Sequence, residues 1–105
     1  MTDKVLVLTT AGNEPEARKI ANQLVERRLA ACVNIVSRIQ SVYRWEGKVE
    51  SAEEFLLIVK TTKTRSTDVK KAIRELHSYD LPECIVISME DGNAEYLKWI
   101  EESVG

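Results

Sequence analysis

Apolar and polar positions change period several times along the chain, and each change marks an element. Val5-Leu6-Val7-Leu8 is a continuous apolar run inside Lys4 to Thr10, the length of a buried central strand. Ala11-Gly12-Asn13 breaks it. Ala17, Ile20, Ala21, Leu24, Val25 and Leu29 then recur at helical spacing, with Arg18, Lys19, Gln23, Glu26 and Arg27 on the other side. Asn13 is the expected N-cap. Glu16, three residues on, completes a capping box, and Pro15 fits the first turn. The helix is expected to end near Leu29-Ala30.

From Ala31 to Thr62 the pattern becomes that of two extended arms around a turn at Trp45-Glu46-Gly47-Lys48. Gly47 takes positive φ without steric cost. The arms, Cys32 to Trp45 and Val49 to Thr62, are rich in β-branched and aromatic residues. With Glu46-Gly47 as a two-residue loop, Trp45 faces Lys48, Tyr43 faces Glu50 and Ile35 faces Ile58. An arm of about 13 residues spans roughly 43 Å, at about 3.3 Å per residue. A domain of this size is about 35 Å across. The tip is therefore expected to overhang, carrying Ile39, Val42, Tyr43 and Trp45. Two readings follow. The ribbon docks on another copy of the chain, or a bulge near Ser37-Arg38 curls it over its own core.

Beyond Thr62 the chain turns polar, and Ser66 or Thr64 is the expected cap of a second helix. Its apolar face is Val69, Ala72, Ile73 and Leu76. Asp80 and Pro82 end it. Glu83 to Met89 reads as a fourth strand. Asn93 caps a short third helix carrying Tyr96, Leu97, Trp99 and Ile100. The order predicts an α+β chain: a ferredoxin-like βαββαβ sandwich with a long hairpin between its second and third strands and an extra C-terminal helix. Residues 1–105 are expected to form a single domain. The strands are apolar on both sides, so the sheet face away from the helices also calls for cover.

Composition narrows the function classes. Of 105 residues, 44% are hydrophobic and 30% charged, with a net charge of −2. No basic excess invites nucleic acid, and the strands offer aliphatic residues where RNA-binding relatives of this architecture stack bases on aromatics. No apolar run is long enough to span a membrane. The N-terminus leads directly into a strand with no signal peptide pattern, and the two cysteines, Cys32 and Cys84, form no C-x-x-C pair. Both features lead to an expectation of a cytoplasmic protein with reduced thiols.

Candidate chemistry is sparse. His77 is the only histidine, near Tyr79, Asp80 and Glu83 and at the end of a helix. It is either a capping, hydrogen-bonding side chain or part of a metal site. Cys32 with His77 is a conceivable nucleophile and base, but no third orienting group accompanies them and an apolar strand makes a thiol inert. There is no glycine-rich phosphate loop. Glu50, Glu53 and Glu54 make the hairpin arm acidic, either for a basic partner surface or for solubility. The aromatic set of Tyr43, Trp45, Tyr79, Tyr96 and Trp99 serves either core packing or a subunit interface.

Five segments in order carry a resemblance. They are Leu29-Ala30-Ala31-Cys32-Val33-Asn34-Ile35, Tyr43-x-Trp45-x-Gly47-Lys48, Glu54 with Ile58-Val59-Lys60-Thr61, His77-x-Tyr79-x-x-Pro82-Glu83, and Tyr96-Leu97-x-Trp99-Ile100. Together they resemble the CutA family of divalent-cation tolerance proteins, which is similar in fold to the PII signalling proteins. The resemblance implies a cytoplasmic homotrimer held partly by the long hairpin, with Tyr43, Trp45, Ile39 and Trp99 at the interface. It implies clefts between subunits near Lys60, Tyr79 and Glu54, a link to copper or another divalent cation, and no catalysed reaction. His77 and Cys32 are the candidate metal ligands. Where the resemblance places a cysteine and a second histidine for copper, this chain has Thr9 and Leu76, and Ser78 stands where proline often follows the histidine. The alternatives are a structural or signalling trimer that binds another protein, with indirect metal effects, and a Cys32-dependent enzyme.

Overall fold

The computed structural model describes residues 2–105; Met1, part of the domain expected over 1–105, lies outside the described residues. The elements run β1 (Lys4–Ala11), α1 (Glu14–Glu26), β2 (Cys32–Trp45), β3 (Lys48–Thr62), α2 (Lys63–Leu76), β4 (Ile85–Ser88) and α3 (Ala94–Ser103). The strands form one antiparallel sheet in the order β2-β3-β1-β4. This is the expected ferredoxin-like arrangement with its additional C-terminal helix.

Alternation along the strands builds two different faces. Val5, Val7 and Ala11 of β1 and Phe55, Leu57 and Val59 of β3 are buried with Ala17, Ile20 and Leu24 of α1 and Val69, Ala72 and Ile73 of α2. This is the core. The intervening apolar residues Leu6, Leu8, Leu56 and Ile58 are only half-buried. Ile85 and Ile87 of the edge strand β4 are exposed.

Asn13 caps α1 as expected, its side chain accepting from the Glu16 N–H, and Asn93 caps α3 in the same way through Glu95. Three boundaries differ. α1 ends at Glu26, and Arg28 then adopts φ 58°, which turns the chain toward β2 before Leu29-Ala30. α2 begins at Lys63, capped by Thr62 rather than by Thr64 or Ser66: the last strand residue turns its hydroxyl to the Arg65 N–H. β4 is also shorter than Glu83 to Met89 and leaves Cys84 outside it.

The hairpin register follows expectation near its tip, where Trp45 pairs with Lys48 and Tyr43 with Glu50. Nearer the base it slips by one, and Ile35 pairs with Leu57, not Ile58. The cause is a bulge: Ser37 and Arg38 together oppose Phe55, and Arg38 takes φ 58°. The bulge does not fold the ribbon onto its own core. Val42 is 71% and Val49 65% exposed, and Tyr43 and Trp45 are also open to solvent. The molecule extends 44 Å along its longest axis against 26 and 22 Å across.

Candidate functional site

A polar cluster forms where the end of β1, the N-terminus of α1, the outer half of β3 and the segment after α2 converge. His77 is the hinge of this cluster, and its side chain is fully buried. Its Nε2 lies 2.5 Å from the Thr10 carbonyl oxygen. A carbonyl only accepts, so the ring proton sits on Nε2. Nδ1 then accepts the Tyr79 N–H at 3.0 Å. A histidine bonded on both nitrogens holds the segment after α2 against β1.

Glu16 reinforces the same joint. Its carboxylate accepts the Ser78 N–H at 2.9 Å and the Ser78 hydroxyl at 2.8 Å; its Oε1 also lies 3.2 Å from His77 Nδ1, a contact that attracts only when that nitrogen carries a proton. Burial pushes the Glu16 carboxyl up, but the two Ser78 donors, with His77 and Lys19, outweigh it and leave the group below its ordinary range. Ser78, at the position where the resemblance has proline, supplies donors that a proline lacks.

Tyr79 carries the joint outward. Its ring lies 4.5 Å from the His77 ring, and its hydroxyl donates to Glu54 Oε2 at 2.9 Å. Burial, then the hydrogen bond and charge of Glu54, push its phenol up to about 12. Tyr79 therefore remains a donor at neutral pH. Glu54 is only 8% exposed. Beside this pair opens a groove of about 670 Å³, bounded by Ser41, Tyr43 and Trp45 of the hairpin, by Glu54, and by the 78–83 segment.

The other candidates lie elsewhere. Lys60 is six residues from Glu54 along β3, about 20 Å away at the strand rise. Its ammonium meets the Tyr96 hydroxyl at 3.3 Å, and Tyr96 packs against Trp99 with ring centroids 5.4 Å apart. Cys32 is the cross-strand partner of Lys60 and is half-buried. The chain thus joins Tyr79 to Glu54 but not to Lys60, and separates His77 from Cys32. Among the described residues no three His, Cys, Asp or Glu side chains are grouped to hold a metal ion. With both His77 nitrogens engaged as well, the described residues of a single chain do not fit a metal centre. Glu16 was absent from the candidate set. Its only sequence signal was the capping box, whereas its partner Ser78 is 62 residues away.

The sequence pattern of the CutA1 divalent ion tolerance protein family matches residues 5–103. The chain belongs to this family. It is 47% identical over 100 residues to the divalent-cation tolerance protein CutA of Thermus thermophilus, covering 95% of this chain and 97% of that one. It is 42% identical to a chloroplastic CutA of Arabidopsis thaliana, but spans 54% of that longer protein. The solved Thermus thermophilus structure superposes with a TM-score of 0.95 at 46% identity, covering 97% of this chain and 99% of the other. A protein of Archaeoglobus fulgidus described as periplasmic gives 0.94 at 42% identity, covering 97% and 99%. The Thermus thermophilus and Archaeoglobus fulgidus proteins are named for tolerance to divalent cations, and those names specify no reaction. No helix among the described residues is long and apolar enough to cross a membrane.

Proposed function

We propose that this CutA family member is a cytoplasmic, non-catalytic homotrimer that takes a divalent cation, such as copper, or a small ligand in clefts between its subunits. The observation that carries the reading is the hairpin. It holds Val42, Tyr43, Trp45 and Val49 on a solvent-exposed ribbon at one end of a 44 Å molecule. Exposed apolar area of this kind marks an interaction surface, and Ile39, Tyr43, Trp45 and Trp99 are its expected contacts. An assembly also explains the half-covered sheet face of Leu6, Leu8, Leu56 and Ile58. Packing between copies is the step that would bring the Tyr79–Glu54 groove of one subunit toward the Lys60 and Cys32 region of another.

Sedimentation equilibrium tests the assembly: the expected mass is three times the 11.9 kDa chain, and a monomer refutes the reading. Calorimetric titration with copper, on wild type, His77→Gln and Cys32→Ser, tests the cation. Saturable binding weakened in either variant supports those residues as ligands, and equal binding in all three removes both.

A further inference from the structure

We infer that Glu54 of one subunit takes Lys60 of the next as its ion-pair partner, so that the trimer closes head to tail with one such pair at each interface. The inference deepens the homotrimer reading above and rests on it. Phe55, Leu57 and Val59 of β3 face the core, so alternation puts Glu54, Leu56, Ile58 and Lys60 on the sheet face away from α1 and α2. That stripe has a direction: a carboxylate at one end, half-buried Leu56 and Ile58 between, and an ammonium at the other. Neither charge is paired within the chain. Glu54 is more than nine-tenths buried. Yet among the described residues no Lys, Arg or His nitrogen lies within ion-pair distance of it, and no carboxylate lies within that distance of Lys60. Their side-chain hydrogen bonds are to neutral phenols, Tyr79 for Glu54 and Tyr96 for Lys60. A buried carboxylate without a cation is costly unless a partner supplies one. At about 20 Å apart along one strand, Glu54 and Lys60 of the same chain do not meet.

The surroundings of the two charges select the second copy as the partner. Glu54 stands opposite Ile39 on β2 and lines one groove with Tyr43 and Trp45. Asp80 and Glu83 line that groove too, and it contains no Lys, Arg or His side chain, so this end of the stripe favours positive charge. Lys60 stands with Tyr96, which packs against Trp99. The expected contact residues therefore fall at opposite ends of the stripe: Ile39, Tyr43 and Trp45 with the acid, Trp99 with the base. In a ring each subunit gives one end to one neighbour and the other end to the other neighbour. Opposite charge at the two ends makes head meet tail, because two like ends would put unpaired like charges together. Lys60 is the cation left over for this contact: Lys4, on the same face of β1, is already held by Asp3 and Glu101.

The test uses the full-length protein and follows its assembly by sedimentation in rising urea, for wild type, Glu54→Gln, Lys60→Met and the double variant. Glu54→Gln keeps an oxygen to accept from Tyr79, and Lys60→Met keeps an unbranched stem beside Tyr96. Each single variant strands one charge at the interface and is expected to weaken subunit association by about tenfold or more. The double variant removes both charges and should recover to within about threefold of wild type. Recovery reports contact between the two positions, since charges acting separately at opposite ends of one chain give additive losses. Lys60→Glu sets a second carboxylate against Glu54 and should leave the chain monomeric. Additive losses, single variants as firmly assembled as wild type, or a trimeric Lys60→Glu overturn the inference and leave the homotrimer standing. A wild-type mass other than three times the 11.9 kDa chain overturns both together.

Discussion

Gly12 sits directly beneath the hydroxyl of Tyr79: a Cβ on Gly12 would stand 2.9 Å from that oxygen, and 3.5 Å from the nearest ring carbon. The glycine is there for close approach rather than for an unusual backbone angle. It lets Tyr79 lie flat across the β1–α1 turn and reach Glu54. Gly12→Ala is therefore expected to displace the hydroxyl and weaken its bond to Glu54, at about 1 kcal/mol. In a Tyr79→Phe background the obstructed atom is gone and the remaining contacts are ordinary van der Waals distances. A double-mutant cycle by urea unfolding should show the cost of Gly12→Ala falling in that background. Equal costs in both backgrounds would show that the clash lies with the backbone and not with the tyrosine.

Two buried threonines on neighbouring strands should respond in opposite directions to the same substitution. Thr9 and Thr61 are both fully buried. Thr61 Oγ1 donates to the Leu29 carbonyl at 2.6 Å, tying β3 to the segment after α1. Thr9 Oγ1 has no partner among the described residues. Thr9→Val removes an unsatisfied hydroxyl from the core and should raise stability by up to about 1 kcal/mol. Thr61→Val strands a carbonyl and should lower it by about 1–2 kcal/mol. Thermal unfolding midpoints distinguish the two, and a loss for Thr9→Val would mean that its hydroxyl is paired in solution.

Much of this fold was legible because its signals are local. The apolar run of β1, the Asn13 and Asn93 caps and the Gly47 turn each depend on residues within a few positions of one another. The register could be counted outward from the turn as far as Tyr43 and Glu50. It failed at Ile35 because a bulge leaves no obligatory residue type: Arg38 holds a left-handed conformation that glycine or asparagine would have advertised. The site was harder to read. Glu54 looked like one of three acidic residues on a soluble arm, and only the tertiary approach of Tyr79 shows it as a buried acceptor. Glu16 was seen as a cap partner and not as the acceptor of Ser78, since nothing in the sequence links two residues across three intervening elements.

The bulge itself offers a backbone test. Arg38 at φ 58° adopts the left-handed region, where a Cβ costs about 1 kcal/mol or more. Glycine carries no such cost, although it gains freedom in the unfolded chain. Arg38→Gly should be neutral or stabilising. Arg38→Val, β-branched at the same angle, should destabilise by about 1–3 kcal/mol. Hydrogen exchange at Val36 and Ile39 should locate the loss at the base of the hairpin. A well-tolerated valine would mean that the bulge relaxes to a different register.

The joint around His77 also predicts how stability changes with pH. The Glu16 carboxyl lies below its ordinary value of 4.5 in the folded chain. Its contribution is therefore present above about pH 4.5 and is lost as pH falls through the lower folded value. Asp3 shares that direction through its contact with Lys4, but it is exposed and largely screened by solvent. At the alkaline end, Tyr79 is raised from 10.0 to about 12. Its contribution is complete below pH 10 and is lost as pH climbs toward 12. Glu16→Gln should flatten the acid limb of a stability–pH curve measured by urea unfolding, and leave the alkaline limb in place. Tyr79→Phe should flatten the alkaline limb alone. If Glu16→Gln leaves the slope below pH 4.5 unchanged, the Ser78 hydrogen bonds to Glu16 do not hold in the folded protein.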